Sequence, residues 1–281
     1  MAKISVIGIC GNSIFMNVDH FHEKGETLVA NSVHEEIGGK GINQAVACAK
    51  MGAKVSYLGA IGDDNDGEKC KQTATDFGIN GYFAVKKGLK TTFAVILTDK
   101  NGENQVTGYR SAELCTEDVL SFEEEIANSD ILLLQHEVPE KVNEVAVELA
   151  NKYNVKVILN PAPIRPIPEK IAKSVFAVTP NEQEKKAIDV NRFENVITTL
   201  GSKGCSINDK TFIKAIDVKP VDTTGAGDTF NGVLAVCLAN GKDIETACQY
   251  AVCGSGLSVT KSGVLNSVPT KDEIERKMTN E

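Results

Sequence analysis

Between Thr116 and Leu200 the chain alternates helix-period and strand-period segments, and that alternation leaves it few folds to choose from. Helical patterns at Thr116–Ser129, Pro139–Tyr153, Pro168–Lys173 and from Asn181 take turns with strand-like runs at Asp130–Leu134, Val155–Asn160, Val175–Thr179 and Asn195–Leu200. Strands that are apolar on both sides need cover on both sides, and a helix between successive strands returns the chain in the same direction. The expected class is α/β, a mostly parallel central sheet with helices on both faces. Three helices, Ala226–Asn240, Asp243–Val259 and Thr270–Met278, close the chain.

The first hundred residues extend this sheet and add something to it. Lys3–Cys10 is a β-branched run ending near glycine, and Val55–Ile61 is a second one. Between them Ile42, Ala45, Val46 and Ala49 share one helical face that Gly52 stops; after Gly62-Asp63-Asp64 a further helix ends at Gly78. Ile14–Ile37 is polar and alternating, broken by Glu23-Lys24-Gly25, and reads as exposed antiparallel strands. Thr92–Thr98 and Gln105–Tyr109 flank Asp99-Lys100-Asn101-Gly102, a hairpin signal. The two pieces are expected to pair as a small β-sheet lid. The organisation is one domain, residues 1–281, with lid segments at about 14–37 and 91–110.

Composition narrows the partners. A net charge of −8 and an acidic isoelectric point near 5.2, with no Lys/Arg block, argue against nucleic acid. No apolar run is long enough for a bilayer, and MAKISVIGIC reads as a first strand and not as a signal peptide. Eight cysteines lie in apolar surroundings without a CxxC pair, so buried reduced thiols and a cytoplasmic setting are expected, with no membrane partner.

The chemistry concentrates in Pro220–Leu234, PVDTTGAGDTFNGVL. Gly225, Ala226 and Gly227 leave backbone N–H groups uncovered at the mouth of a helix, an anion site by geometry and dipole. Asp228 follows, poorly suited to bind an anion but well suited to take a proton from a hydroxyl attacking it. A helix-capping Asp in a tight turn is the competing reading. Polar or glycine-rich residues also follow the other strands: Gly11-Asn12, Gln135-His136-Glu137, Asn160-Pro161-Ala162-Pro163, Thr179-Pro180-Asn181-Glu182 and Gly201-Ser202-Lys203-Gly204. Ligands of open α/β sheets bind at such carboxyl ends.

Taken together, IGGKGINQAVACAKMGA from Ile37, IGDDNDGE from Ile61, LNPAP from Leu159, TPNEQE from Thr179, TLGSKG from Thr199 and VDTTGAGDTFNG from Val221 resemble the ribokinase family, the PfkB-type carbohydrate kinases, over nearly the whole chain. The resemblance implies an ATP- and Mg²⁺-dependent kinase acting on a hydroxyl of a small sugar. Asp228 matches the catalytic base, and Gly225, Ala226 and Gly227 match the anion hole. Gly39, Lys40, Asn43 and Glu137 match sugar-binding positions. Asn181 and Glu184 match the NxxE motif of the Mg²⁺ and phosphate region, while by themselves they make an equally good capping box. Thr199, Gly201 and Gly204 match the nucleotide loop, a simple hairpin turn being the alternative. Asp222 and Thr224, with Ser258, Lys261, Gly263 and Ser267 largely through backbone carbonyls, match a potassium-like site. Dimerisation through the lid is expected from the same resemblance.

Two places depart from that pattern. Gly11 and Ser13 stand where ribokinases usually carry an Asn and an Asp against the sugar, and the stretch NEQEKKAIDVNRFENVITTLG is shorter than the family's helix there. A nucleoside kinase of the adenosine or pseudouridine type, a branch that shares Asp228 and GAGD, is the competing enzyme, and the first departure motivates a sugar-binding regulator without turnover as a competing function of another class. A dinucleotide oxidoreductase is disfavoured, since no GxGxxG follows the first strand.

Overall fold

The computed structural model describes residues 1–279. In chain order its elements are β1 (Lys3–Ile7), β2 (Gly11–Asn17), β3 (Ser32–Gly38), α1 (Lys40–Lys50), β4 (Lys54–Gly62), α2 (Asn65–Asp76), β5 (Asn80–Lys86), β6 (Phe93–Thr98), β7 (Asn104–Tyr109), α3 (Thr116–Ser121) and α4 (Glu123–Ala127). There follow β8 (Ile131–Gln135), α5 (Glu140–Lys152), β9 (Lys156–Asn160), α6 (Glu169–Ala172), β10 (Ala177–Val178), α7 (Glu182–Lys186), β11 (Ile197–Thr199), β12 (Gly204–Ile207), β13 (Thr211–Lys214), α8 (Ala226–Ala239), α9 (Ile244–Ser258) and α10 (Lys271–Thr279).

Six strands form a parallel sheet in the order β10-β9-β8-β1-β4-β5. Side chains alternate between its faces with the two-residue strand period. Ile131 and Leu133 enter a core shared with α1, α8 and α9, whereas Leu132 and Leu134 enter a second core with α3, α4 and α5. The chain builds outward from β1 in both directions, so the order reverses between β1 and β8. A crevice opens there beyond the strand ends, where such sheets bind their ligands.

A separate four-stranded sheet, β3-β2-β6-β7, covers that end. It unites the two segments that the sequence assigns to a lid. The two antiparallel pairs read from the sequence, β2–β3 and β6–β7, are joined by a parallel pairing of β2 with β6. The parallel pair arises because β2 and β6 both leave the main sheet in the same direction.

Three further expectations change. Asn195–Leu200 runs parallel beside β10, as expected, but joins it only through two isolated parallel bridges, Val178–Val196 and Asn181–Thr199. Its β11 pairs fully in a separate three-stranded antiparallel sheet instead. Asn208 and Asp209, both with positive φ, make the tight turn that returns β12 into β13. The helix expected over Thr116–Ser129 is two short helices that part at buried Phe122. Seven cysteines are buried, but Cys115 is exposed at the start of α3 with its thiol against Asp118.

Candidate active site

Asp228 sits in the first turn of α8, only 7% exposed, at the crossing of α8 and α1. One turn on, Gly232 sets how closely the helices approach. A Cβ there would stand 2.9 Å from the Gln44 carbonyl and 3.0 Å from the Cys48 nitrogen. With no side chain at Gly232, Asn43 Nδ2 reaches Asp228 Oδ2 at 2.9 Å and Gln44 Nε2 reaches Oδ1 at 3.1 Å. The carboxylate therefore receives one donor on each oxygen, which fixes its plane.

Gln44 was not singled out from the sequence, and it is one link of a buried ring of amides. Its Nε2 also approaches Asn160 Oδ1 at 3.3 Å, and Asn160 Nδ2 donates to the Thr179 carbonyl at 3.3 Å. The Thr179 hydroxyl meets Asn231 Oδ1 at 2.6 Å, and Asn231 Nδ2 returns to the Gly227 carbonyl at 2.8 Å. The ring thus begins at Asp228 and closes on the residue before it, tying α8 to α1 and to the ends of β9 and β10. Gln135 Nε2 braces Gln44 Oε1 at 2.8 Å from the end of β8. Buried amides on an otherwise apolar helix face were the available signal, since so polar a cluster survives burial only when bonded.

Lys40 opens α1 beside this carboxylate. The negative charge of Asp228 above all, then those of Glu137 and Glu184, raises its pKa against the opposing effect of burial. The ammonium stays protonated and balances three acids. Glu137, after β8, accepts the Lys40 N–H at 2.7 Å. Burial raises the Glu137 pKa, and Lys40 offsets part of that rise. Asn43 Oδ1 is buried without a protein donor among the described residues. Gly39, with φ of 112°, carries the chain from β3 into α1 next to these groups. The sequence-derived set Gly39, Lys40, Asn43, Glu137 and Asp228 is therefore brought together, with an acceptor left open beside the carboxylate.

On the other side of α8 lies a cavity of about 410 Å³. Thr199, Gly201 and Gly204 line it together with Ala226 and Gly227, so the predicted nucleotide loop and the helix mouth share one space. Ile216, Val252 and Gly256 supply apolar walls that motif reading did not find. Gly225 opens α8 in the left-handed conformation, φ 76°. The first N–H groups of a helix lack intrahelical acceptors. Here Ala226 reaches the Thr223 carbonyl at 3.3 Å and Thr229 the Gly225 carbonyl at 2.9 Å, and the N–H groups of Gly227 and Asp228 find no backbone acceptor among the described residues.

Asn181 and Glu184 form a capping box: Asn181 Oδ1 accepts the N–H groups of Gln183 and Glu184, and Glu184 Oε2 accepts that of Asn181. Glu184 Oε1 takes the Asn181 amide at 2.8 Å, so both its oxygens face its own helix start. Such a pair fits Mg²⁺ only through water. The shortened segment gives α7 five residues and one turn of 3-10 helix at Val190–Arg192.

Asp222 and the loop after α9 also come together. The Asp222 N–H donates to the Val259 carbonyl at 3.2 Å, and Asp222 Oδ2 accepts the Gly263 N–H at 3.4 Å. Thr224 N–H caps Asp222 Oδ1 at 2.9 Å. Ser258 and Ser267 are buried with their hydroxyls on neighbouring carbonyls, and the Lys261 ammonium turns away to Glu273 at 3.1 Å. One carboxylate among neutral backbone oxygens fits a monovalent cation by donor chemistry.

The departures after β1 have local causes. A Cβ on Gly11 would run into the Thr92 carbonyl, so the residue leading into β6 occupies the space that an Asn side chain needs. Ser13 lies directly across from Glu36 in the β2–β3 ladder. Asn12 points its Nδ2 to Glu35 at 3.0 Å and Asp66 at 3.3 Å, so its donor is held on the α2 side of the lid and does not replace the missing Asn.

Residues 1–271 match the pfkB family of carbohydrate kinases. The chain belongs to that family. Ribokinase of Haemophilus influenzae is 34% identical over 294 residues, covering 96% of this chain and 96% of the relative. The crystal structure of ribokinase from Thermotoga maritima superposes with a TM-score of 0.90 at 34% identity, covering 100% of both chains. The structure of Arabidopsis thaliana ribokinase complexed with ribose and ATP gives 0.85 at 27% identity, with 98% of each chain covered. As a pfkB carbohydrate kinase the chain is an ATP-dependent phosphotransferase with an alcohol group as acceptor.

Proposed function

We propose that this pfkB kinase transfers the γ-phosphate of ATP to a hydroxyl of a small sugar held among Lys40, Asn43, Glu137 and Asp228. The observation that carries this reading is the position of Asp228. It stands between the open Asn43 acceptor on one side of α8 and the cavity at the helix mouth on the other. A sugar hydroxyl donating to Asp228 would lie in line with a phosphoryl group at Gly227. Asp228 takes the hydroxyl proton as the new oxygen–phosphorus bond forms and the bond to the departing nucleoside diphosphate breaks. Phosphoryl transfer asks mainly for alignment and charge stabilisation, and the N–H groups at the α8 mouth and the Lys40 ammonium supply both. Asn181 and Glu184 would hold Mg²⁺ through water, and the ion would supply charge neutralisation at the phosphates. A monovalent cation at Asp222 would firm the loop behind the anion hole.

The four-stranded sheet serves in this reading as a lid that keeps water from the phosphoryl group. Val33, Val106 and Tyr109 expose apolar surface on it, which supports the proposal that two copies pair through their lids. Among the described residues no helix is long and apolar enough to cross a membrane, and with buried thiols this favours a cytoplasmic enzyme.

An ATP-consumption screen over pentoses, hexoses, deoxyribose and nucleosides, beside Asp228→Asn, tests the assignment. Turnover on a free sugar that falls about 10²–10⁴-fold in the variant, the scale of losing a general base, supports it. Turnover on nucleosides alone, or native turnover in Asp228→Asn, overturns it.

A further inference from the structure

Glu36 belongs to the lid strand β3, yet its carboxylate is held by the loop on the far side of the site. Its Oε1 accepts the N–H of Val264 at 3.0 Å and of Leu265 at 2.9 Å, and its Oε2 accepts that of Val264 at 3.0 Å. The preceding Gly263, φ 86°, donates its N–H to Asp222. Successive N–H groups turned the same way form an anion-binding concavity. Here the donors of residues 263–265 are divided between Asp222 of the main domain and Glu36 of the lid.

The same loop reaches the helix mouth. Val264 Cγ1 stands 2.6 Å from where a Cβ on Gly225 would be, so Val264 is seated on the left-handed residue that opens α8. Along β3, Glu36 is followed by Ile37, Gly38 and Gly39 and then by Lys40 at the sugar side. One carboxylate therefore joins the strand leading to the sugar-side lysine with the loop that backs the anion hole.

We propose that Glu36 is a positioning residue, a latch that ties the lid to the 263–265 loop and so holds Val264 against Gly225 when the lid is seated. Glu36 touches no reacting atom; it acts through Val264 on the α8 mouth and through β3 on the closure that excludes water. The inference rests on the anion-hole reading of Gly225–Gly227.

Glu36→Ala and Glu36→Gln are assayed beside Glu35→Gln and Asp228→Asn. Glu35, the preceding residue, faces away to Asn12 and Lys69 and controls for loss of charge on the same strand. In Glu36→Ala, kcat for transfer to sugar falls about tenfold, the scale of one charged hydrogen bond. ATP hydrolysis by water rises several-fold relative to transfer. Glu36→Gln, which keeps one acceptor oxygen, lies between native and Ala, and Glu35→Gln keeps the native ratio. Native kcat and a native hydrolysis-to-transfer ratio in both Glu36 variants overturn the latch. So does a lowered Tm with that ratio unmoved. If Glu36→Ala does not fold, Glu36→Gln decides on the same ratio. An inactive Asp228→Asn beside unaltered Glu36 variants sinks the latch alone, whereas an active Asp228→Asn sinks the site reading.

Discussion

Gln44 Nε2 lies 3.1 Å from Asp228 Oδ1, and this contact between α1 and α8 sets which way the carboxylate faces. Asn43 holds the other oxygen, so removing Gln44 lets the carboxylate rotate about one remaining bond. A hydrogen bond to a charged group contributes about 1.5–3 kcal/mol, and each 1.4 kcal/mol lost from transition-state alignment is roughly a factor of ten in rate. Gln44→Met, similar in volume and without donors, should lower kcat about 10–100-fold while leaving sugar KM within about threefold. Steady-state kinetics separate the two effects. A kcat within about twofold of native would show that Asn43 alone orients Asp228.

Gly232 makes that contact possible by letting the helices touch. Gly232→Val places a branched side chain against the Gln44 carbonyl and the α1 backbone. Overpacking of this kind costs about 1–3 kcal/mol, and the strain is relieved by separating α8 from α1. Activity should therefore fall further than stability: kcat/KM at least about tenfold, with a Tm loss of a few degrees. Thermal unfolding and kinetics on one preparation test this, and equal kcat/KM for native and variant would mean that the crossing tolerates the gap.

The class of fold was legible because β8, β9 and the helices between them carry unbroken apolar periodicity. The residues around Asp228 were legible because Gly39, Lys40, Asn43 and the Gly225–Asp228 turn form contiguous motifs. Three things were not. The amide ring joins Gln44, Asn160, Thr179 and Asn231 across four elements, and only the fold makes them neighbours. The β12–β13 hairpin rests on positive φ at Asn208 and Asp209, in a turn that no glycine announces. Glu36 reads as one of two surface acids, and its role needs the 263–265 loop folded back 228 residues away in sequence.

His136, just after β8, gives a pH signature. Burial above all, then the positive charge of Arg165, lowers its pKa from 6.5 to about 4, and the Pro163 backbone offsets only part of that. The unfolded chain then binds the proton more readily than the folded one between those two values. Stability is full above about pH 6.5 and declines as the pH falls toward 4, by a few kcal/mol at most. Unfolding midpoints measured from pH 7.5 down to 4.5 should fall less steeply for His136→Leu than for the native chain. Parallel slopes would mean that His136 does not sense the pH.

Asp222 tests the cation reading from the opposite side of Val264. Its carboxylate is the only formal negative charge among the proposed donors, and it also holds Gly263 in place. A bound ion stabilises the folded state by mass action. The native chain should unfold several degrees higher, and turn over faster, in potassium chloride than in tetramethylammonium chloride. Asp222→Asn keeps one acceptor for Gly263 but loses the charge, so both differences should shrink toward zero while sugar KM changes little. Equal Tm and equal rate for the native chain in the two salts would leave Asp222 as a brace for the loop and nothing more.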